Sequence, residues 1–170
     1  MAFLARKISR AKWSRRDTLK EGEIPADAVT SDLRTSDNTL SFWKCGDGEV
    51  HDQERVVLAL ATAAQRLDVV DLVWLEESIF PDHEILLEKS IGRTHLAEMA
   101  RQHVDAKCLD LSRLGILARQ FDEALQRHQY VRFPARRVRD LLCEAIRSGA
   151  VDLEELESSL QSALKGHLSE

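Results

Sequence analysis

The sequence predicts an α+β fold: a small β-sheet with a crossover helix in the N-terminal half, then a helical C-terminal half of about four amphipathic helices. Three observations carry this expectation. Residues 69–75, Val-Val-Asp-Leu-Val-Trp-Leu, are β-branched and almost continuously apolar, the pattern of a strand covered on both faces. Just before them, Val56, Val57, Leu60, Ala61, Ala64 and Leu67 recur at helical spacing. After Gly92 the apolar period is helical throughout.

Taken in order, residues 5–13 read as a strand, although Phe3, Leu4, Ile8 and Trp13 fit neither strict alternation nor a full helical stripe. Pro25 suits the first turn of a short helix reaching Leu33. The turn formers at 35–38 precede a strand over 39–45, which closes at Gly46-Asp47-Gly48. Asp52 is the expected N-cap of a helix over 53–67. That helix provides a right-handed crossover joining strands 40–45 and 69–75 in parallel. Residues 79–91 suit either a strand or a helical turn.

In the second half, Thr94 is placed to cap a helix running to His103, and Asp110 one with Leu114, Leu117, Ala118, Phe121 and Leu125 inward. Pro134 opens a third, with Val138, Leu141, Leu142, Ala145 and Ile146 on one face and Gly149 as its stop. Asp152 and Glu155 are spaced as a variant capping box for a fourth, with Leu153, Leu156, Leu160, Ala163 and Leu164 inward. Residues 1–92 thus read as an α/β-textured, two-layer half and 93–170 as a helical half, together one compact unit.

Length and composition set limits. A chain of 170 residues buries roughly 70% of its extended surface around one core. At 44% hydrophobic and 31% charged it falls among ordinary globular proteins, outside the disordered and membrane classes. No apolar run reaches the roughly 18 residues of a membrane span, and no apolar segment of a secretory signal follows the basic N-terminus. Cys45, Cys108 and Cys143 read as reduced core cysteines, and the expected location is cytoplasmic.

The net charge of −5 is the sum of a +6 stretch over residues 1–20 and a −11 remainder. Arg6, Lys7, Arg10, Lys12, Arg15 and Arg16, interleaved with Trp13, suit phosphates and an unpaired base. Residues 127–139 hold five Arg and no acid, including Arg132, Arg136, Arg137 and Arg139. Because the −11 remainder repels a polyanion, the favoured reading is that these basic segments pair with acidic surface of this chain or of a partner. Residues 140–170 carry a net of −5, concentrated in Asp152, Glu154, Glu155 and Glu157. Leu153, Leu156 and Leu160 follow coiled-coil spacing over only about two heptads, so they serve either the chain's own core or a partner helix.

Other chemistry is thinly represented. His95 and Glu98 share a helical face in the expected 94–103 helix, but zinc pairs of His at i and i+4 or of Cys are missing. His51 and the Asp82-His83-Glu84 triplet read as solvated loop residues. Ser9, Arg10 and Trp13 could join Glu76 and Glu77 in a dispersed polar site. There is no nucleophile elbow, no phosphate loop and no Cys-x-x-Cys.

The expected function is therefore a small cytoplasmic protein-interaction subunit or adaptor using the basic N-terminal segment and acidic C-terminal helices. Nucleic-acid binding through the two Arg-rich segments is the first alternative, and an enzyme with a dispersed polar site in the N-terminal half the second. The expected partner is another protein or a second copy, with nucleic acid as the alternative and no membrane, cofactor or metal.

Overall fold

The computed structural model describes residues 2–14, 19–20 and 22–168. Its strands are β1 (Phe3–Ile8), β2 (Leu40–Lys44), β3 (Val70–Glu76), β4 (Leu86–Lys89), β5 (His103–Lys107) and β6 (Tyr130–Phe133). They form one antiparallel sheet in the order β4-β5-β2-β1-β3-β6, so the fold is α+β. The helices are α1 (Arg10–Trp13), α2 (Ala26–Asp32), α3 (Val50–Thr62), α4 (Ile79–Asp82), α5 (Ala97–Ala100), α6 (Leu111–Gln126), α7 (Ala135–Arg147) and α8 (Ser158–Leu168).

The crossover through α3 exists, but the strands it joins are not neighbours. β2 and β3 run the same way because each is antiparallel to β1, which stands between them. The expected direct parallel pairing is corrected accordingly: the connection over 45–69 is long enough to step across one strand, and β1 fills the gap. β1 is also shorter than expected, ending at Ile8, where Ser9 leads into the single turn of α1.

Alternation on the strands explains why the sheet is covered twice. Leu4 and Ile8 on β1 and Val73 and Leu75 on β3 pack with Trp13, Leu117 and Phe121 on one face. Ala5, Leu72 and Phe133 face the other way, against Val56, Val57, Val138, Leu142, Leu160 and Leu164. Helices thus cover both faces, and the two-layer expectation becomes three layers. β3, buried from Val70 to Val73 and again at Leu75, is the doubly covered strand its composition predicts.

The C-terminal half is not wholly helical, because β5 and β6 come from it. Residues 103–107 alternate, with Val104 and Ala106 buried, but five residues are too short to overcome the helical texture around them. The helix expected over 94–103 shrinks to α5, while the Thr94 hydroxyl pairs with that of Thr62 at 2.8 Å. β6 lies hidden inside the Arg-rich stretch.

Other elements follow their local signals. Asp110 caps α6 by accepting the Arg113 N–H at 2.8 Å, and Gly149 ends α7 at φ 75°. α3 starts at Val50, placing Asp52 in its first turn rather than at the cap. Asp152 accepts the Glu154 N–H, and a 3-10 turn (Leu153–Glu155) precedes α8. Ala163 is exposed, not inward. Cys45 and Cys143 are buried free thiols, but Cys108 is exposed in the turn after β5, at φ 57°. No helix among the described residues is long and apolar enough to cross a membrane.

Leu156 and Leu160, offered above as partner-helix positions, are buried in this chain's own core, with Leu153 packed partly against it. Leu160→Ala should therefore destabilise the isolated chain by about 2–5 kcal/mol. Urea denaturation should show a lowered midpoint, with a slope like that of the parent.

Candidate functional site

β1 and β6 are both antiparallel to β3, so they finish at the same end of the sheet, where β3 begins. This places the two Arg-rich segments together. Asp71 on β3 lies opposite Ile8 on one side and Arg132 on the other. Its Oδ2 accepts the Arg10 N–H at 3.3 Å, and Arg132 Nη1 stands 3.7 Å from Oδ1. That second oxygen is buried and accepts no hydrogen bond among the described residues. The Arg10 guanidinium lies 5.1 Å from the centroid of the Tyr130 ring, giving a further link between the segments.

The candidates differ in what they contact. Trp13 is 3% exposed; its indole N–H donates to Asp32 Oδ2 at 2.8 Å and its ring lies 5.8 Å from that of Phe121. It is an anchor rather than the exposed stacking surface suggested above. Arg137 pairs with Glu54 at 2.5 Å, and Arg139 with Asp140 at 2.8 Å. Lys12 donates to Ser31 Oγ at 2.8 Å. Lys7 and Arg136 are exposed, while Arg15 and Arg16 lie outside the described residues. The basic stretches are thus partly neutralised within the chain.

Exposed Asp152, Glu154, Glu155 and Glu157 follow the far end of α7, where Ala150 and Val151 donate back to the Ala145 carbonyl. A 13-residue helix is about 20 Å long, which separates these acids from Arg136. Glu155 reaches His95 at 3.5 Å, and Glu98 reaches Arg55 at 3.1 Å, so the proposed His95 and Glu98 pair is not assembled. No group of three His, Cys, Asp or Glu among the described residues is arranged to hold a metal. Glu76 lies opposite Phe3, at the other end of β1 from Ser9, Arg10 and Trp13, so the dispersed site drawn from those residues does not form.

A different polar constellation lies at the centre of the sheet. β1 pairs with β3 over six residues but with β2 only at Leu4↔Lys44 and Ala5↔Trp43. Beyond Ala5 the two strands part, and Arg6 bridges the opening. Its Nε donates to the Asp32 carbonyl at 2.8 Å and its Nη1 to the Ser41 carbonyl at 2.6 Å. The guanidinium carbon lies 5.9 Å from the Phe42 ring centroid. Burial lowers the Arg6 pKa to about 10, with Asp32 opposing that shift, so the side chain stays charged at neutral pH.

Asp32 is the keystone of this opening. Its carboxylate accepts the Ser9 N–H at 2.7 Å, the Trp13 indole N–H at 2.8 Å and the Ser31 hydroxyl at 3.0 Å. Nearby, the Ser41 hydroxyl meets Asp105 Oδ1 at 2.9 Å, and Ser90 Oγ meets His103 Nδ1 at 2.6 Å. Asp105 approaches that same Nδ1 at 3.9 Å, so Ser90 and Asp105 share one ring nitrogen instead of taking one each. The hydrolytic triad needs both nitrogens, and these residues do not form one. Asp32, Ser41, His103 and Asp105 were not apparent as a group from the sequence, because Asp32 meets Ser9 across 23 residues and Ser41 meets Asp105 across 64.

Two expectations follow. Asp32→Ala leaves the Trp13 and Ser9 donors unpaired and should cost about 2–4 kcal/mol, measured by chemical denaturation. Burial holds the His103 imidazole below its ordinary value of 6.5, with Asp105 opposing and Arg6 assisting. The unfolded chain therefore takes up that proton before the folded one does, and stability falls as pH drops through 6.5. His103→Gln should lose less stability than the parent between about pH 7 and pH 5, as read by thermal melting. Comparison with protein-family models, with curated proteins and with solved structures finds no match to this chain.

Proposed function

We propose that this chain is a small protein-interaction subunit that engages another protein through oppositely charged surfaces. The observation that carries the reading is spatial: Arg10 and Arg132 meet at Asp71 where β1 and β6 finish, with Arg136 in the first turn of α7 just after β6, while exposed Asp152, Glu154, Glu155 and Glu157 follow the other end of α7. Complementary potentials of this kind steer association and select partners. A cytoplasmic setting accords with the reading, since its three free thiols would stay reduced there.

Co-purification of the tagged native protein from its host tests this reading. A partner should be recovered at low salt, and R132E with R136E should reduce its yield about tenfold. A solitary monomer in every preparation overturns the reading.

Nucleic-acid binding is the second reading, supported by the meeting of the two Arg-rich segments at Asp71. It predicts a mobility shift at about 50 mM salt that weakens steeply as salt rises. No shift with either single- or double-stranded probes overturns it.

A further inference from the structure

β6 is the last strand in the sheet, so one of its edges has no neighbouring strand among the described residues. The register says which backbone groups stand on that edge. Trp74 N–H donates to the Gln129 carbonyl at 3.3 Å, and the pairing continues from Val73↔Tyr130 to Val70↔Phe133. In an antiparallel ladder, hydrogen-bonded pairs alternate with unbonded ones. Val131 and Phe133 therefore bond to β3, while the N–H and C=O groups of Tyr130 and Arg132 are turned outward. Pro134 stands next on that edge and has no N–H to offer, which limits a docked strand to this short stretch.

The side chains give the edge a sign. Tyr130 and Arg132, two residues apart, share the face that α6 covers, whereas Val131 and Phe133 face α3 and α7. The Arg10 guanidinium lies 5.1 Å from the Tyr130 ring centroid, and Arg132 stands 3.7 Å from Asp71, so two cations gather around one carboxylate. Arg10 reaches Ser14 Oγ at 3.4 Å but no carboxylate among the described residues. The opposite edge of the sheet, β4, has no such bias, since Glu88 there pairs with Lys107 at 2.8 Å. A second copy of β6 does not suit the edge either. Every two-fold register that bonds Tyr130 or Arg132 to its counterparts sets Arg10 or Arg132 against the same cations of the other copy, and like charges directly opposite are unfavourable.

Building on the protein-interaction reading, we propose that the β6 edge takes up an acidic extended segment of another protein as a further antiparallel strand. Acidic residues opposite Tyr130 and Arg132 meet Arg10 and Arg132 on the α6 face. The residue between them lies opposite half-buried Val131 and is apolar. The pattern recognised is thus acidic-apolar-acidic: outward backbone groups hold the segment, and alternate side chains select it.

NMR titration of the full chain with the capped peptide Glu-Val-Glu-Val-Glu at low salt tests this. Saturable binding with Kd below about 1 mM is expected. With peptide at about ten times Kd, amide exchange of Tyr130 and Arg132 should slow about tenfold, whereas Val131 and Phe133 are slow already in the free protein. N-methylation of the three glutamates keeps every charge but removes the N–H groups offered to β6, and should weaken binding about tenfold or more. Arg10→Gln should weaken the parent peptide about threefold to tenfold, and Arg119→Gln, an exposed cation on α6, should change nothing. No saturable shift at about 5 mM peptide overturns the proposal, as does equal binding of the N-methylated peptide or unslowed exchange at Tyr130 and Arg132. Equal losses in Arg10→Gln and Arg119→Gln overturn it too, and displacement of the peptide by an equal concentration of oligothymidylate overturns it in favour of nucleic acid. Co-purification decides the broader reading separately: a recovered partner together with a failed peptide removes strand addition alone.

Discussion

β1 stands between β2 and β3 and is the strand on which both helical layers depend. Its six-residue ladder with β3 places Leu4 and Ile8 in one core and Ala5 in the other. Its side toward β2 is only partly paired, and Arg6 rather than backbone closes the difference. A half-buried cation at the middle of a sheet needs good hydrogen bonding, and two carbonyls and an aromatic ring surround it.

Two carboxylates then govern where β1 ends. Asp32 accepts the amide of Ser9 and Asp71 that of Arg10, so successive N–H groups are held by acids from different elements. The backbone at the end of β1 is thereby fixed by buried acids, while the Lys7 side chain beside it is exposed. The same arrangement accounts for Trp13, whose indole is drawn to the same Asp32 and so into the core.

How much was legible in the sequence depended on how local the information was. α6 and α7 each carry a cap or breaker and a long apolar face, and both stand close to where those signals put them. β3 was legible from seven residues because a doubly buried strand cannot be written with many polar side chains. β5 and β6 are four or five residues long, and their identity comes from pairing with β2 and β3. Helical texture on one side and charge on the other masked them. The opening at Arg6 left no trace in sequence, since nothing near residue 6 records that Ser41 and Asp32 will face it. The charge polarity of the chain was visible, but its arrangement around Asp71 and α7 required the topology.

The central position of β1 has a bearing on how the chain is made. Residues paired between β1 and β3 lie 63 to 73 positions apart. At translation speeds of about 5–20 residues per second, β1 waits on the order of 3 to 15 s for its principal neighbour. During that interval an apolar, β-prone segment has at most β2 beside it, whose partners lie 38 to 40 positions on, and its dense cations disfavour joining copies on neighbouring ribosomes. The charges that look like a recognition feature in the finished protein can also act as a guard for a strand that must wait.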